Sequence, residues 1–124
     1  MLKINARESQ PLHFEAALVG SLDTGTTPQF EEFLKGLIGN QAKSLRLDLA
    51  QLDYISSTGL RLLMSAAKHF KQSGGIYTVA NPQPQVRKVI DIAKALPSET
   101  VFASAAEEER YFDEMQKLAL KPKA

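Results

Sequence analysis

Leu45-Arg46-Leu47-Asp48-Leu49-Ala50-Gln51-Leu52-Asp53-Tyr54-Ile55-Ser56-Ser57-Thr58-Gly59-Leu60-Arg61 joins two periodicities. From Leu45 to Leu49 apolar and polar residues alternate, the period of a strand with one buried face. From Leu60 onward, Leu60, Leu63, Met64, Ala67 and Phe70 gather on one side of a wheel turning about 100° per residue, the period of a helix. Three hydroxyl residues and a glycine stand at the junction. A strand passing through such a turn into a helix is the first half of a strand-helix-strand unit, and its repetition along the chain predicts an α/β fold.

Toward the N-terminus, Leu2 to Ala6 alternates as a half-buried strand, and Leu12 to Val19 reads as a second strand ended by Gly20. A polar loop, Ser21 to Thr27, leads to a helix with Thr27 as hydroxyl cap and Pro28 in its first turn. Phe30, Phe33, Leu34, Leu37 and Ile38 form its apolar face, and Gly39-Asn40 stop it. Toward the C-terminus, the second helix runs from Ser56–Gly59 to about Gln72 and ends at Gly74-Gly75. Ile76 to Ala80 is a strand, and a third helix carries Val86, Val89, Ile90 and Ala93. Thr100-Val101-Phe102 reads as a short strand. Ser104 caps a last amphipathic helix with Glu107 and Glu108 in its first turns, and Lys121 to Ala124 is a frayed tail. The expected architecture is one domain over residues 1–124: a mixed, mostly parallel sheet of four to five strands with about four helices. Function in such sheets gathers beyond the carboxyl ends of the strands, here the loops Ser21–Thr27 and Ala50–Thr58.

The 124 residues suit a single domain, and apolar and charged fractions of 44% and 23% are ordinary for a globular chain. A formal net charge of +1 selects neither nucleic acid nor an anionic membrane. The absence of cysteine excludes disulfides and thiolate metal sites and fits a cytoplasmic protein. No apolar run approaches the roughly 20 residues of a membrane span, and the N-terminus, with Arg7 and Glu8, does not read as a secretory signal. Nothing calls for a metal or a cofactor.

Ser56, Ser57 and Thr58 carry the chemistry of interest. One hydroxyl caps a helix, a contribution of about 1 kcal/mol. Three with a glycine leave an approachable hydroxyl over. A nucleophilic serine needs a base; the histidines are His13, in a predicted strand, and His69, on the outer face of a helix, and serine lacks the flanking glycines of a nucleophile elbow. Other features have plainer readings. Thr24 to Thr27 forms a turn rather than an anion cradle, and Glu107-Glu108-Glu109 a solvated helix face. Phe30, Phe33 and Phe70 belong to the core, and Asp48 and Asp53 show no shared pocket.

Tyr54-Ile55-Ser56-Ser57-Thr58-Gly59-Leu60 resembles the phosphorylation motif of bacterial anti-sigma factor antagonists, which are STAS domains of four or five strands and four helices. Gly20-Ser21-Leu22-Asp23, Leu45 to Leu49, Gly74-Gly75-Ile76 and Asn81-Pro82 to Ile90 resemble the family at corresponding places, so the likeness spans about Leu2 to Tyr111. It implies a non-enzymatic switch. The unphosphorylated chain binds an anti-sigma factor that is also its serine kinase, phosphorylation ejects it, and a serine phosphatase resets it. The matching target is Ser57, with Ser56 as second choice; Ser56 stands where many members carry aspartate, and Ser21 where an acidic residue is frequent. Asp23, Ser56, Thr58, Gly59 and Leu62 are the partner-binding candidates. Asp23 is expected near Ser57, and Leu62, off the apolar side of the wheel, is expected to be exposed. A STAS subunit of a lipid or anion transport assembly is the alternative within the fold.

Overall fold

The computed structural model describes residues 1–95 and 102–120. The strands are β1 (Leu2–Gln10), β2 (His13–Leu22), β3 (Ser44–Ile55) and β4 (Ile76–Ala80); the helices are α1 (Thr27–Gly39), α2 (Ser57–Ser73), α3 (Pro84–Ala95) and α4 (Ala105–Leu120). They form one sheet in the order β1-β2-β3-β4. The β1–β2 hairpin is antiparallel, and β2–β3 and β3–β4 are parallel, as short turns and helical crossovers respectively require. The mixed, mostly parallel α/β sheet is therefore as read. Residues 100–101 and 121–124 lie outside the described residues; Phe102 is not in a strand and packs its ring, tilted, against those of Tyr111 and Phe112 of α4.

Two strands outrun their alternation. Gly20 does not end β2: with φ at +108° it sits at a register irregularity, and β2 continues to Leu22. A Cβ there would stand 2.3 Å from the Met1 carbonyl oxygen, so only glycine lets β1 lie so close. β3 runs six residues past Leu49. Its pairing with β2 shifts register between Ala17 and Val19, so the buried residues change from Leu45, Leu47 and Leu49 to Leu52 and Ile55, and the period of two is lost. At α1, Thr26 rather than Thr27 occupies the cap position and its side chain makes no cap bond, its hydroxyl donating instead to the Ser21 carbonyl at 2.9 Å. Ser104 does cap α4, accepting from Glu107 N at 3.1 Å while Glu107 reaches back to Ala103 N at 3.1 Å.

The core packs β2 and β3 against the helices through Leu18, Leu47, Leu49, Phe30, Leu63, Phe70, Val86 and Val89, all essentially without exposure. Pairing with β4 ends at Ala80 opposite Asp48. Beyond it, glutamine side chains take the place of a strand along β3. Gln83 Nε2 donates to the Ala50 carbonyl and Gln85 Nε2 to the Asp53 carbonyl, both at 2.9 Å. Gln116 of α4 engages both polar groups of Ile55: Nε2 donates to its carbonyl at 2.7 Å, and Oε1 accepts from its N–H at 2.9 Å. These bonds hold α3 and α4 at the carboxyl end of β3.

Candidate functional site

The three hydroxyls after β3 meet three fates. Ser56, 1% exposed, is the cap of α2: its extended backbone turns its Oγ to accept from Gly59 N at 3.0 Å, while its own N–H donates to the Leu22 carbonyl at 2.7 Å. Thr58 is exposed. Ser57 is 6% exposed, and its Oγ donates to Glu109 Oε2 at 2.5 Å. Gly59 is buried against the core; a Cβ there would lie 2.9 Å from Leu22 Cγ and 3.0 Å from Ile55 Cγ1, so its absence lets α2 begin tight against β2 and β3.

An approachable hydroxyl at Ser57 was the expectation; α4 lies over it instead. Glu109 Oε2 also accepts from Ser57 N at 3.2 Å, and Oε1 accepts from the Tyr54 hydroxyl at 3.2 Å. One carboxylate thus neutralises an orphan N–H at the start of α2, where negative charge is favoured. Burial first, then the charges of Glu109 and Asp113, pushes the Tyr54 phenol above its ordinary range and keeps it a donor. Beside this, Arg61, one turn along α2 from Ser57, pairs with Glu108. The acidic run is therefore not a solvated face: Glu107 completes the α4 cap, and Glu108 and Glu109 turn half-buried toward α2. Sequence spacing gave no sign of this, because the contacts join residues about fifty positions apart.

Asp23 lies at the same end of the sheet as Ser57. β2 and β3 run parallel with Leu22 opposite Ile55, which puts their following loops side by side. Its carboxylate, however, serves its own turn, Oδ1 accepting from Gly25 N at 2.9 Å and Thr26 N at 3.0 Å. The carboxylate bonded to Ser57 is that of Glu109. A Ser21 Oγ bond to Asp53 Oδ1 at 2.7 Å ties together the ends of β2 and β3 from which these loops leave.

Leu62 is half-buried, not exposed. It packs on the core and lines a groove of about 240 Å³ between α1 and α2 with Leu34, Ile38 and Ala66. The wheel assigned α2 one buried face toward the sheet, whereas α1 covers a second sector. Leu62→Ala should accordingly cost about 1–3 kcal/mol in urea denaturation, below the full range for a buried leucine because the side chain is only half covered; an unchanged midpoint would return Leu62 to the surface.

His13 and His69 line a cavity of about 620 Å³ at the other end of the sheet, with His13 Nδ1 2.6 Å from Ser44 Oγ. His13 sits beside the start of β3, the far end from Ser57, and His69 lies twelve residues, about 18 Å, along α2 from Ser57, so neither imidazole serves Ser57 as a base. Among the described residues no group of three His, Cys, Asp or Glu could hold a metal ion, and no helix is long and apolar enough to cross a membrane.

Known proteins share this fold. Residues 4–108 match the model of the STAS domain. The chain is 35% identical over 78 residues, 63% of its length and 67% of the relative's, to BtrV of Bordetella bronchiseptica, a candidate anti-sigma factor antagonist. It is 30% identical over 71 residues, 57% of its length and 62% of the relative's, to an anti-sigma-B factor antagonist of Listeria monocytogenes. In three dimensions it resembles the anti-sigma factor antagonist SpoIIAA in its unphosphorylated form, with TM-score 0.68 at 20% identity over 93% of this chain and 97% of that one. Phosphorylated SpoIIAA of Bacillus follows with TM-score 0.65 at 20% identity over 90% and 98%. With a strand-to-helix serine motif at the carboxyl end of a mostly parallel sheet, and a family match over most of its length, the chain belongs to the STAS domain family, among relatives that are anti-sigma factor antagonists.

Proposed function

We propose that this protein is a cytoplasmic, non-enzymatic partner switch that binds an anti-sigma factor with serine kinase activity when Ser57 is unmodified and leaves it when Ser57 is phosphorylated. The observation that carries the proposal is the division of labour at the start of α2. Ser56 supplies the cap, so the Ser57 hydroxyl has no backbone duty and is held by a single carboxylate. In the transfer, Ser57 Oγ loses its proton and takes the γ-phosphoryl group of ATP, and ADP leaves. The new ester would stand at a helix N-terminus that tolerates negative charge, so the fold survives and the effect falls on the binding surface. Thr58, exposed beside Ser57, and the loop of Asp23 belong to that surface. A serine phosphatase resets the switch.

The names of the relatives support this reading over a transport subunit, in which no phosphoryl group would move. The direct test is a pulldown from the native cell followed by mass spectrometry of the captured partner and of the Ser57 peptide. A kinase-like partner and a phosphate on Ser57 are expected. Ser56→Ala separates the two serines: it should lose about 1 kcal/mol of stability with its cap, yet still gain one phosphate from the cognate kinase. Intact mass checks this, and loss of the phosphate from that variant alone would move the site to Ser56.

A further inference from the structure

α4 reaches Ser57 through two acidic anchors and is held farther along by contacts independent of the serine. The anchors are Glu109, bonded to Ser57 Oγ, Ser57 N and Tyr54, and Glu108, paired with Arg61. The independent contacts are buried Phe112 and the two Gln116 bonds to Ile55. We propose that the N-terminal half of α4 is a latch over Ser57, closed by Glu109 and Glu108 while the serine is unmodified and opened by phosphate at Ser57.

The chemistry acts on both anchors at once. As a phosphoester oxygen, Ser57 Oγ has no proton to donate to Glu109. The dianion competes with that carboxylate for Ser57 N and for the positive end of α2, and like charge repels Glu109. Arg61 lies four residues after Ser57 on α2, the spacing at which a phosphate and a guanidinium meet on one helix face. Its guanidinium is largely exposed and free to turn from Glu108 to the phosphate. The Gln116 bonds go to Ile55 and Phe112 rather than to the serine, so the C-terminal half of α4 stays docked. The latch gives the unmodified state a covered serine and the phosphorylated state an altered surface, which a partner can read as a change of shape as well as of charge.

The latch rests on the reading of Ser57 as a phosphorylation site, and its test is made independent of any kinase by installing phosphoserine at position 57 during translation. Amide hydrogen exchange is followed across Glu108–Phe112 and, as internal reference, across Gln116–Leu120. Phosphoserine should speed exchange in the first segment by about ten- to a hundredfold, the worth of one or two charge-assisted hydrogen bonds, and leave the second unchanged. Glu109→Ala should speed it similarly without phosphate. Glu109→Gln should stay protected in both states, because its amide can accept from Ser57 and donate to a phosphate. Equal protection of Glu108–Phe112 with and without phosphoserine would overturn the latch, as would equal opening of phosphorylated Glu109→Gln and phosphorylated wild type. Failure of the cognate kinase to modify Ser57 would instead remove the functional reading, with the exchange result standing by itself.

Discussion

If Ser57 is the switch proposed above, Ser57→Asp should fold normally and lose an anti-sigma partner by about two to three orders of magnitude in Kd, whereas Ser57→Ala should keep the partner and not be released by ATP. The fold of Ser57→Asp survives because the new carboxylate stands at the N-terminus of α2, where negative charge is stabilising by up to about 1 kcal/mol. Affinity falls because that charge faces Glu109 and must be desolvated against a surface shaped for a hydroxyl. An unpaired buried charge costs about 3–5 kcal/mol, which is a factor of about a hundred to several thousand. Ser57→Ala retains the backbone N–H that also donates to Glu109, so the start of α2 keeps its counter-charge. Each variant is incubated with the cognate kinase and ATP, weighed intact, and titrated against the partner. Undiminished binding by Ser57→Asp, with the fold verified by circular dichroism, would show that charge at position 57 does not control the interaction.

Gln116→Met should be the most damaging conservative change near the site. Methionine fills nearly the same volume but offers neither the acceptor for Ile55 N nor the donor for its carbonyl. Gln116 is 2% exposed, so water does not readily replace it. Each backbone group stripped of its partner in such surroundings costs about 1–3 kcal/mol, giving about 2–6 kcal/mol together. That is a large part of the roughly 5–15 kcal/mol that holds a domain of this kind. Urea denaturation followed by far-ultraviolet circular dichroism measures it. A loss under about 1 kcal/mol would mean that β3 does not depend on α4 beyond the last pair with β4.

The amino-acid order determined the α/β architecture, the mixed sheet and the serine motif, because each is written in local periodicity or short spacing. The alternation of Leu45 to Leu49, the helical recurrence of Leu60, Leu63 and Phe70, and the hydroxyl cap with its glycine depend on neighbours a few residues apart. The resemblance at Tyr54 to Leu60 is local as well. Tertiary structure decided everything that rests on a distant partner. The bulge opposite Ala17–Val19 carried β3 past the end of its alternation, and α1 covered Leu62 on a sector of α2 that the wheel left open. Asp23, the acidic candidate near Ser57 in loop order, spends its carboxylate on its own turn. Glu109, fifty-two residues beyond Ser57, supplies the contact instead. The reason is physical: a strand or helix period records which face of a segment is buried, while the identity of the group that meets a given side chain is set by how helices pack across the sheet, which no local pattern encodes.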